Sequence, residues 1–323
     1  MQKELLDKLK AITEEESKIL KGNQGIEKGI YTRDKEFVID SRKMLEKGKL
    51  IDIRTHTRFT HFPKHRHNYI EIIYMCSGQT THIINDTSKV ILKKGDVLFL
   101  NQNAYQEIMP ADKEDIAINF IVLPEFFDVP FSMMDEENLV RDFIIGNLMK
   151  EYGKMDYLHF KVANIIPIQN LIENLIWSIM NKQVNKRHIN QITMGLLLLQ
   201  LLNYTEKIDA NSPKQHEQNQ ILTILKGIEE SYQTISLTEL AADMNQSVYQ
   251  LSKRIKENTG LTFKELLQRK RLNQATYLLT TTKLPIDEII YSVGYDNSSY
   301  FYRIFKKRFG MTPKAYRDKN KTL

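Results

Sequence analysis

The sequence predicts an α+β multidomain protein in which an antiparallel β-barrel precedes a helical region and a C-terminal all-α domain. Between about residues 50 and 123, short segments rich in Ile, Val, Tyr and Phe alternate with turn residues, a pattern typical of barrels and sandwiches. From 135 to 208, apolar residues recur at steps of three and four, which predicts amphipathic helices. Beyond 219 the helical pattern occurs twice, which indicates one helical unit used twice.

The predicted boundaries follow these changes of pattern. Residues 209–217 are polar, contain Pro213 and lack apolar periodicity, so they are predicted to form a linker. The strands are predicted at 70–76, 82–84, 89–92, 97–100 and 116–123. The units are predicted to be an N-terminal helix (1–29), a barrel (30–134), a helical region (135–208), the linker (209–217) and a C-terminal domain (218–323).

Composition excludes several classes of protein. The chain has 323 residues and is 41% hydrophobic and 27% charged, as ordinary globular proteins are. Its single cysteine, Cys76, excludes an intramolecular disulfide and a zinc cluster built from cysteines. The N-terminus lacks the continuous apolar core of a secretory signal, and no apolar run is long enough to span a bilayer. We therefore expect a cytoplasmic protein without a membrane partner.

Positive charge is concentrated in the C-terminal third. Residues 221–323 hold 17 Lys and Arg against 10 Asp and Glu, whereas residues 1–220 hold 29 against 30. A local basic field attracts polyanions, so this third is a candidate for contact with nucleic acid phosphates. A solvated lysine-rich face is an equally good explanation of charge alone.

The C-terminal repeat has the pattern of a helix-turn-helix. Superimposing Gly260 on Gly310, a shift of 50 residues, matches Leu251 with Phe301, and upstream of the turn the shift is 49. The helices are predicted at 237–244 and 248–258 in the first repeat, and at 286–293 and from 297 or 298 onward in the second. The second helix of each repeat has a polar face carrying Tyr249, Ser252, Lys253 and Lys256, or Ser298, Ser299, Tyr302, Arg303 and Lys306, with Lys307 beside it. Basic side chains and small hydroxyls on one helix face suit a major groove.

Residues 236–317 resemble the DNA-binding domain of the AraC/XylS family. The matching residues are Leu251-Ser252-Lys253, Ile255-Lys256, Gly260, Arg271, Ala275, Leu278-Leu279, Gly294-Tyr295, Tyr300-Phe301, Arg303, Phe305-Lys306-Lys307, Gly310, Thr312-Pro313 and Tyr316-Arg317. Ile255, Lys253 and Tyr295 depart mildly from the usual Phe, Arg and Phe.

The resemblance implies two helix-turn-helix units joined by a long helix at about 262–280, with their second helices in successive major grooves about 34 Å apart. By motif position it implies that Tyr249, Ser252, Lys253, Ser298, Ser299 and Arg303 contact base edges. By the same comparison, Lys256, Lys306 and Lys307 are implied to contact phosphates.

A histidine cluster in the predicted barrel is the second candidate site. His65, His67 and Glu71 have the His-x-His-x-x-x-Glu spacing of the first cupin motif, and two histidines with a carboxylate could bind iron in principle. The further histidine of a metal-binding cupin is absent; Gln106 and Glu107 occupy that region. AraC-type ligand domains resemble cupins that have lost their metal, so we expect no metal, no cofactor and no catalysis.

The same residues are candidates for binding a small polar effector, such as a sugar. The expected neighbours of the effector are His65, His67, Glu71, Tyr74 and Tyr105. Along the strand, Glu71 and Ile73 alternate with Ile70, Ile72 and Tyr74, so the two sets face opposite sides, and the sequence leaves open which set is interior. A barrel filled by its own side chains is the alternative.

The function expected from these features is that of a DNA-binding transcription regulator controlled by a small-molecule effector. The helical region would cover the barrel, pair two subunits as a homodimer, or both, and RNA polymerase is a further candidate partner. Two alternatives stay open: a cupin enzyme tethered to a DNA-binding domain, and a DNA-binding dimer that responds to no effector. Bound metal and turnover would indicate the first, and the absence of an effector response would indicate the second.

Overall fold

The structure is a computed structural model that describes the chain except residues 24, 34, 134–137, 149–155, 210–212 and 321–323. The chain divides into two compact units: residues 1–135 with 144–219, called here the barrel unit, and residues 136–143 with 220–323, called the helical unit. Among the described residues, no helix is both long enough and apolar enough to cross a membrane.

Three short helices precede the barrel, where the sequence predicted one helix over 1–29. They are α1 (Lys3–Leu9), α2 (Glu14–Leu20) and α3 (Lys28–Tyr31), followed by β1 (Val38–Ile39) and α4 (Ser41–Met44). The Thr13 side chain accepts the Glu16 N–H at 3.2 Å, and the Glu16 carboxylate accepts the Thr13 N–H at 2.9 Å. This capping box starts a new helix, so the charged and apolar periodicity of the segment does not belong to one continuous helix.

The barrel consists of two five-stranded sheets, which confirms the predicted architecture. Its further strands are β2 (Ile51–Thr55), β3 (Phe62–His67), β4 (Ile70–Ser77), β5 (Gln79–Ile84), β6 (Ser88–Lys93), β7 (Val97–Leu100), β8 (Gln106–Ile108), β9 (Ile116–Val122) and β10 (Tyr157–Phe160). The sheet orders are β1-β3-β8-β5-β6 and β10-β7-β4-β9-β2. Every pair is antiparallel except β1 with β3.

Strand β10 lies within the region predicted to be helical. It pairs with β7 along its whole length, from Tyr157 opposite Leu100 to Phe160 opposite Val97. The region predicted to contain only amphipathic helices therefore also contributes a strand to the barrel. A four-residue apolar segment carries no periodicity of its own, and the free edge of β7 decides its conformation.

The alternation along β4 separates the barrel interior from its outer face. Ile73 and Met75 belong to the interior cluster that also contains Leu98, Leu100 and Ala117. Glu71 lies on the same side of the strand, two residues before Ile73. The sequence left open which set of β4 residues faces the interior. It is the set containing Glu71, and Tyr74 lies on the opposite face.

Helices follow the barrel strands in the chain. They are α5 (Asp128–Ser132), α6 (Leu139–Leu148), α7 (Ile166–Met180) and α8 (Lys186–Leu202), with 3-10 turns at Pro124–Phe127 and Thr205–Lys207. On α7, Ile168, Ile172, Leu175 and Ile176 are at most 1% exposed, which gives the helix a buried apolar face. The Tyr74 hydroxyl donates to Gln169 Oε1 at 2.7 Å and so ties α7 to the outer face of β4.

The helical unit contains the predicted repeat. Its helices are α9 (Pro213–Ser231), α10 (Leu237–Asp243), α11 (Val248–Thr259), α12 (Phe263–Thr281), α13 (Ile286–Ser292), α14 (Ser298–Phe309) and α15 (Pro313–Asn320). Helices α10 and α13 are offset by 49 residues, and α11 and α14 by 50, so the second turn is one residue longer. Phe301 and Phe305 are fully buried, and Phe309 is partly buried against the same core.

Helix α9 begins at Pro213, inside the segment predicted to be a linker. Proline is compatible with the first turn of a helix because its missing N–H has no partner there. Residues 210–212 of the predicted linker lie outside the described part of the chain.

Candidate functional site: a helix-turn-helix surface and a barrel cavity

Helix α11 exposes one polar face because its ends and its buried face are fixed. Its N-terminus is capped by Ser247, whose side chain accepts the Gln250 N–H at 3.2 Å, and it ends at Gly260 with φ +75°. Leu251 and Ile255 are at most 1% exposed. The opposite face therefore presents the predicted residues, of which Tyr249, Lys253 and Lys256 are exposed and Ser252 is half-buried.

Helix α14, in the second helix-turn-helix, is capped and buried in the same way. Asn297 caps it by accepting the Tyr300 N–H at 2.8 Å, and Gly310 ends it with φ +73°. Ser299, Arg303, Lys306 and Lys307 are exposed and Ser298 is half-buried. The Arg303 guanidinium lies 5.3 Å from the centre of the Tyr300 ring, a cation–π contact that restricts its side chain.

The two helices differ in local charge. On α11, Lys253 Nζ lies 3.9 Å from the carboxylate of Glu257, one turn further along. On α14, Lys306, Lys307 and Arg308 fill the last turn, and the helix contains no acidic residue. The second helix-turn-helix therefore presents the stronger positive field to a phosphate backbone.

The second turn depends on a glycine. Gly294 has φ +90°, and a Cβ at this position would lie 2.8 Å from the Gln233 carbonyl oxygen and 2.9 Å from Arg271 Cζ. Arg271, on α12, donates to the carbonyl oxygens of Tyr232, Gln233 and Gly294 at 2.7 to 2.8 Å. This arginine joins the end of α9, the long helix and the second turn, and so positions α14.

The barrel contains a cavity of about 40 Å³. Two predicted effector residues, His65 and Glu71, line it. Its wall also contains residues that the sequence analysis did not single out, namely Tyr31, Ile39, Met44, Arg54, Thr55, His56, Thr57, Phe62, Tyr69, Ile108, Asn119 and Ile121. They come from the N-terminal segment, β2, β3, β8 and β9, whose pairing no local sequence pattern indicates.

The other three predicted effector residues lie elsewhere. His67 is not among the residues that line the cavity, but its ring is 4.9 Å from that of His65 and its Nε2 is 3.5 Å from Glu71 Oε1, and both of those residues line it. Tyr74 faces α7, and the Tyr105 hydroxyl donates to Glu36 at 2.9 Å on the outside. Neither tyrosine lines the cavity, because strand alternation turns Tyr74 outward and Tyr105 precedes β8.

The polar groups of the interior form a connected network. The Glu71 carboxyl accepts hydrogen bonds from the side-chain amides of Gln106 and Asn119, the latter at 3.1 Å. The Gln106 carbonyl oxygen lies 3.3 Å from His82 Nδ1, and His82 Nε2 lies 2.9 Å from the Thr80 hydroxyl. Within the described residues, neither ring nitrogen of His67 has a hydrogen-bond partner.

Burial makes this interior uncharged near neutral pH. It lowers the pKa of His56 and of His65 to about 4 and that of His82 to about 3, and it lowers the pKa of His67 well below its usual value. Burial also raises the pKa of Glu71 to about 8, although its two amide hydrogen bonds act in the opposite direction. Hydrogen bonding, rather than charge, is what these side chains offer to a ligand.

The donor set does not form a metal centre. Within the described ranges, no group of three His, Cys, Asp or Glu side chains is arranged to hold a metal ion. His65 Nδ1 is 2.8 Å from the Pro63 carbonyl oxygen, and the carboxyl of Glu71 is engaged by two amides. The Pro63 carbonyl orients the His65 ring through Nδ1, and the two amides orient the carboxyl of Glu71.

A buried ion pair fastens the N-terminal helices over the barrel. Arg58 Nε donates to Glu16 Oε1 at 2.7 Å and Arg58 Nη2 to Glu16 Oε2 at 2.9 Å, and both side chains are at most 2% exposed. Tyr31, which lines the cavity, donates its hydroxyl to Glu15 on the same helix α2. The sequence gives no signal for either contact, because the partners are 42 and 16 residues apart.

Comparison with known proteins matches both parts of the chain. Residues 50–125 match the AraC-like ligand binding domain, and residues 240–319 match a helix-turn-helix domain. The HTH-type transcriptional activator RhaR of Mannheimia succiniciproducens is 26% identical over 261 residues, 80% of this chain and 88% of that protein. The xylose operon regulatory protein of Escherichia coli K12 is 44% identical over 70 residues, 22% of this chain and 18% of that protein.

Solved structures were matched as well. The C-terminal domain of AraT, a response regulator from Geobacillus stearothermophilus, is 32% identical, with 36% of this chain and 92% of that chain covered and a TM-score of 0.32. Apo ToxT from Vibrio cholerae, carrying one substitution, is 16% identical, with 85% of this chain and 99% of that chain covered and a TM-score of 0.39.

A ligand-binding barrel and a double helix-turn-helix in one chain define a DNA-binding transcription regulator with an effector domain. The matches confirm the resemblance to AraC/XylS regulators that residues 236–317 predicted: the chain contains an AraC-like ligand binding domain followed by a helix-turn-helix domain.

Proposed function

We propose that the chain is a cytoplasmic, homodimeric regulator whose effector is a small, neutral, polyhydroxylated molecule such as a sugar. The single observation that carries the effector class is the uncharged, polar interior around Glu71, in which four histidines are neutral and the carboxyl is protonated near neutral pH. Hydroxyl groups both donate and accept, so they match imidazoles and amides without placing a charge in a buried site. A relative named for the xylose operon supports a sugar.

The two ring nitrogens of His67 also support an effector in this part of the barrel. Two buried ring nitrogens without a partner cost about 1–3 kcal/mol each unless a ligand or a water satisfies them. We propose His65, His67 and Glu71 as effector contacts, together with His56 and Asn119 from the cavity wall. Tyr74 and Tyr105 are not retained, because Tyr74 is buried against α7 on the face of β4 opposite the cavity and Tyr105 bonds to Glu36 away from the cavity.

The size of the cavity bears on how the effector enters. A cavity of about 40 Å³ holds a few water molecules but not a pentose. Tyr31 and Met44 of the N-terminal segment form part of the wall, and Arg54 lies across the Tyr31 ring at 5.3 Å from its centre. Entry of a sugar therefore requires these side chains to move outward.

Thermal shift measurements on the full chain test the effector class. The panel contains neutral pentoses and hexoses, D-xylose included, and the corresponding sugar acids. We expect a neutral sugar to raise the Tm of the wild-type protein and of Tyr105→Phe, but not of Glu71→Gln or His67→Ala. Stabilisation by the acids alone would indicate a carboxylate held by Arg54 and would overturn the neutral class, and an unchanged shift in both cavity variants would place the site elsewhere.

For DNA, we propose that the polar faces of α11 and α14 enter successive major grooves. Tyr249, Ser252, Lys253, Ser298, Ser299 and Arg303 are proposed to contact base edges, and Lys256, Lys306 and Lys307 to contact phosphates. Their exposure on two equivalently capped helices supports this assignment. Binding is expected to weaken steeply with salt, because phosphate contacts release counterions, and a salt-independent affinity would contradict it.

For the dimer, we propose that α8 pairs with α8 of a second copy. Ile189, Ile192 and Leu196 are 37 to 43% exposed and occur at steps of three and four, so they form one apolar stripe, and Trp177 of α7 is 51% exposed. A self-complementary stripe suits a twofold interface. Ile192→Asp with Leu196→Asp is expected to give a monomer in sedimentation, while Lys182→Asp leaves the dimer intact; a dimeric double variant would contradict this interface.

The alternative of a cupin enzyme is set aside in this proposal. The relatives matched over most of the chain are named transcriptional activators, and RNA polymerase is proposed as a partner on that ground. Elemental analysis of the purified protein is expected to find iron, manganese and zinc far below one per chain. Near-stoichiometric metal with turnover of a small substrate would restore the enzyme alternative.

A further inference from the structure

A buried histidine in β10 lies between two carboxylates. His159 Nε2 is 3.0 Å from Asp96 Oδ2, and His159 Nδ1 is 3.4 Å from Asp209 Oδ2, an ion-pair distance without hydrogen-bond geometry. The three side chains are 1%, 7% and 10% exposed. We call His159, Asp96 and Asp209 the exit clip.

The two carboxylates of the exit clip lie at different nitrogens of the His159 ring. Asp96 Oδ2 also accepts the Lys93 N–H at 3.0 Å, and Lys161 Nζ, whose side chain is 51% exposed, donates to Asp209 Oδ1 at 2.7 Å. The contacts of His159 with Asp96 and Asp209 therefore bring the turn before β7, strand β10 and the segment ending at Asp209 together around one buried ring.

The segment fastened by the exit clip is the one that leaves the barrel unit. The Asp209 N–H donates to the His159 carbonyl oxygen at 2.8 Å, and the Lys161 N–H donates to that of Lys207 at 2.9 Å. Phe160 and Ile208 form an antiparallel bridge. Residues 205–209 thus extend the sheet beyond β10, and the chain then passes through 210–212 into α9, which continues into the helical unit.

The same sheet connects the exit clip to the effector cavity. Its order runs β10-β7-β4, and Glu71 on β4 is opposite Leu100 on β7. Asp96 belongs to the turn before β7, where the Met75 N–H donates to the Asp96 carbonyl oxygen at 3.1 Å and the Gly95 N–H to that of Met75 at 2.8 Å. One strand therefore carries the cavity carboxyl at one end and holds the Asp96 turn at the other.

We propose that the exit clip holds the chain segment that leads to the DNA-binding helices. We further propose that effector binding in the barrel changes how firmly this segment is held. His159 acts as a positioning residue for residues 205–209. The coupling to the effector rests on the proposed function, whereas the fastening of the segment does not.

Hydrogen exchange of the full chain tests the fastening without any ligand. Asp209→Asn, Asp96→Asn and His159→Gln are expected to speed exchange of the 205–209 backbone by about tenfold or more, with β4 and β9 unchanged. Lys161→Met, which removes the exposed partner of the same carboxylate, is the matched control and is expected to change it less than about twofold. Equal exchange in the wild type and both aspartate variants would overturn the proposal, even if His159→Gln does not fold.

The coupling is then measured as a ratio of DNA affinities. For the wild type, affinity for DNA from upstream of its own gene is expected to change when the stabilising sugar of the thermal-shift panel is added. In Asp209→Asn that ratio is expected to approach one, while the thermal shift by the sugar persists. A full ratio in Asp209→Asn would overturn the coupling, whereas a wild-type protein that no sugar stabilises would contradict the proposed effector and leave the exchange result standing.

Discussion

The two units use polar side chains in opposite ways. In the helical unit, Arg303, Lys306 and Lys307 are exposed on α14 and present fixed positive charge to the solvent. In the barrel unit, His56, His65 and Glu71 are buried around a small cavity and are uncharged near neutral pH. A polyanion is attracted by charge at long range, whereas a small neutral ligand is selected by hydrogen bonds in a buried pocket. The difference shows why one chain needs two separate surfaces for its two partners.

Removing one partner of a buried ion pair in the barrel unit should lower the free energy of unfolding far more than removing one partner of an exposed ion pair in the helical unit. Glu16→Gln leaves the Arg58 guanidinium buried with weaker partners, and we expect a loss of about 3–5 kcal/mol in the free energy of unfolding of the barrel unit. Glu257→Gln, at the exposed pair with Lys253, should cost less than about 0.5 kcal/mol. Urea unfolding followed by hydrogen exchange in each unit measures both, and equal losses would contradict the comparison.

A lower pH should also destabilise the barrel unit more than the helical unit. In the unfolded chain each histidine binds its proton near pH 6.5, whereas in the barrel His56, His65 and His82 bind it only near pH 4 or 3, so the stability that they contribute is lost as the pH falls through this window. Glu71, with its raised pKa, acts in the opposite direction and offsets part of the loss.

The net expectation between pH 7 and 5 is a loss of about 2–3 kcal/mol from the barrel unit. The last histidine in the sequence is His216, so the helical unit contains none and should keep its unfolding temperature. Calorimetry at both pH values measures this, and a barrel transition that is insensitive to pH would show that its histidines are not buried neutral.

Within the helical unit, base contact and phosphate contact should be separable. Arg303→Ala is expected to cost about 1–3 kcal/mol at the preferred DNA sequence and to relax base preference at one position. Lys307→Ala is expected to weaken all sequences about equally and to reduce the salt dependence. Binding to a randomised library measures both, and a change of base preference for Lys307→Ala alone would reverse the two assignments.

A modest expected effect distinguishes the two faces of β4. Tyr74→Phe removes the hydrogen bond to Gln169 and should cost about 0.5–1.5 kcal/mol in stability while leaving effector binding unchanged. Weaker effector binding in this variant would show that the outer face takes part in the site.

The sequence predicted the helical unit more completely than the barrel site, for physical reasons. On α11, helical periodicity alone separates buried Leu251 from exposed Lys253, and the glycine that ends the helix is adjacent in sequence. On β4, a period of two separates Glu71 from Tyr74 but does not indicate which side is interior. That choice depends on the partner strands β7 and β9, and it places Tyr74, which was predicted to adjoin the effector, on the face opposite Glu71.

Contacts between residues that are far apart in the sequence could not be predicted from local patterns. Arg58 and Glu16 are 42 residues apart, and neither lies at a spacing that marks an ion pair. Strand β10 is far from β7 in sequence, and its four apolar residues are too few to predict a strand. The cavity wall is assembled from such contacts, which explains why only His65 and Glu71 of the predicted residues line it.

The alternation of β4 also has a consequence for how such a regulator changes during evolution. Substitutions at 71, 73 and 75 alter the interior, while those at 70, 72 and 74 alter the packing of the outer face. A lineage can therefore drift toward a new effector on one set of positions without disturbing the helices attached through the other. A mutant library for new ligand specificity would accordingly gain most from randomising every second residue of this strand and holding the rest constant.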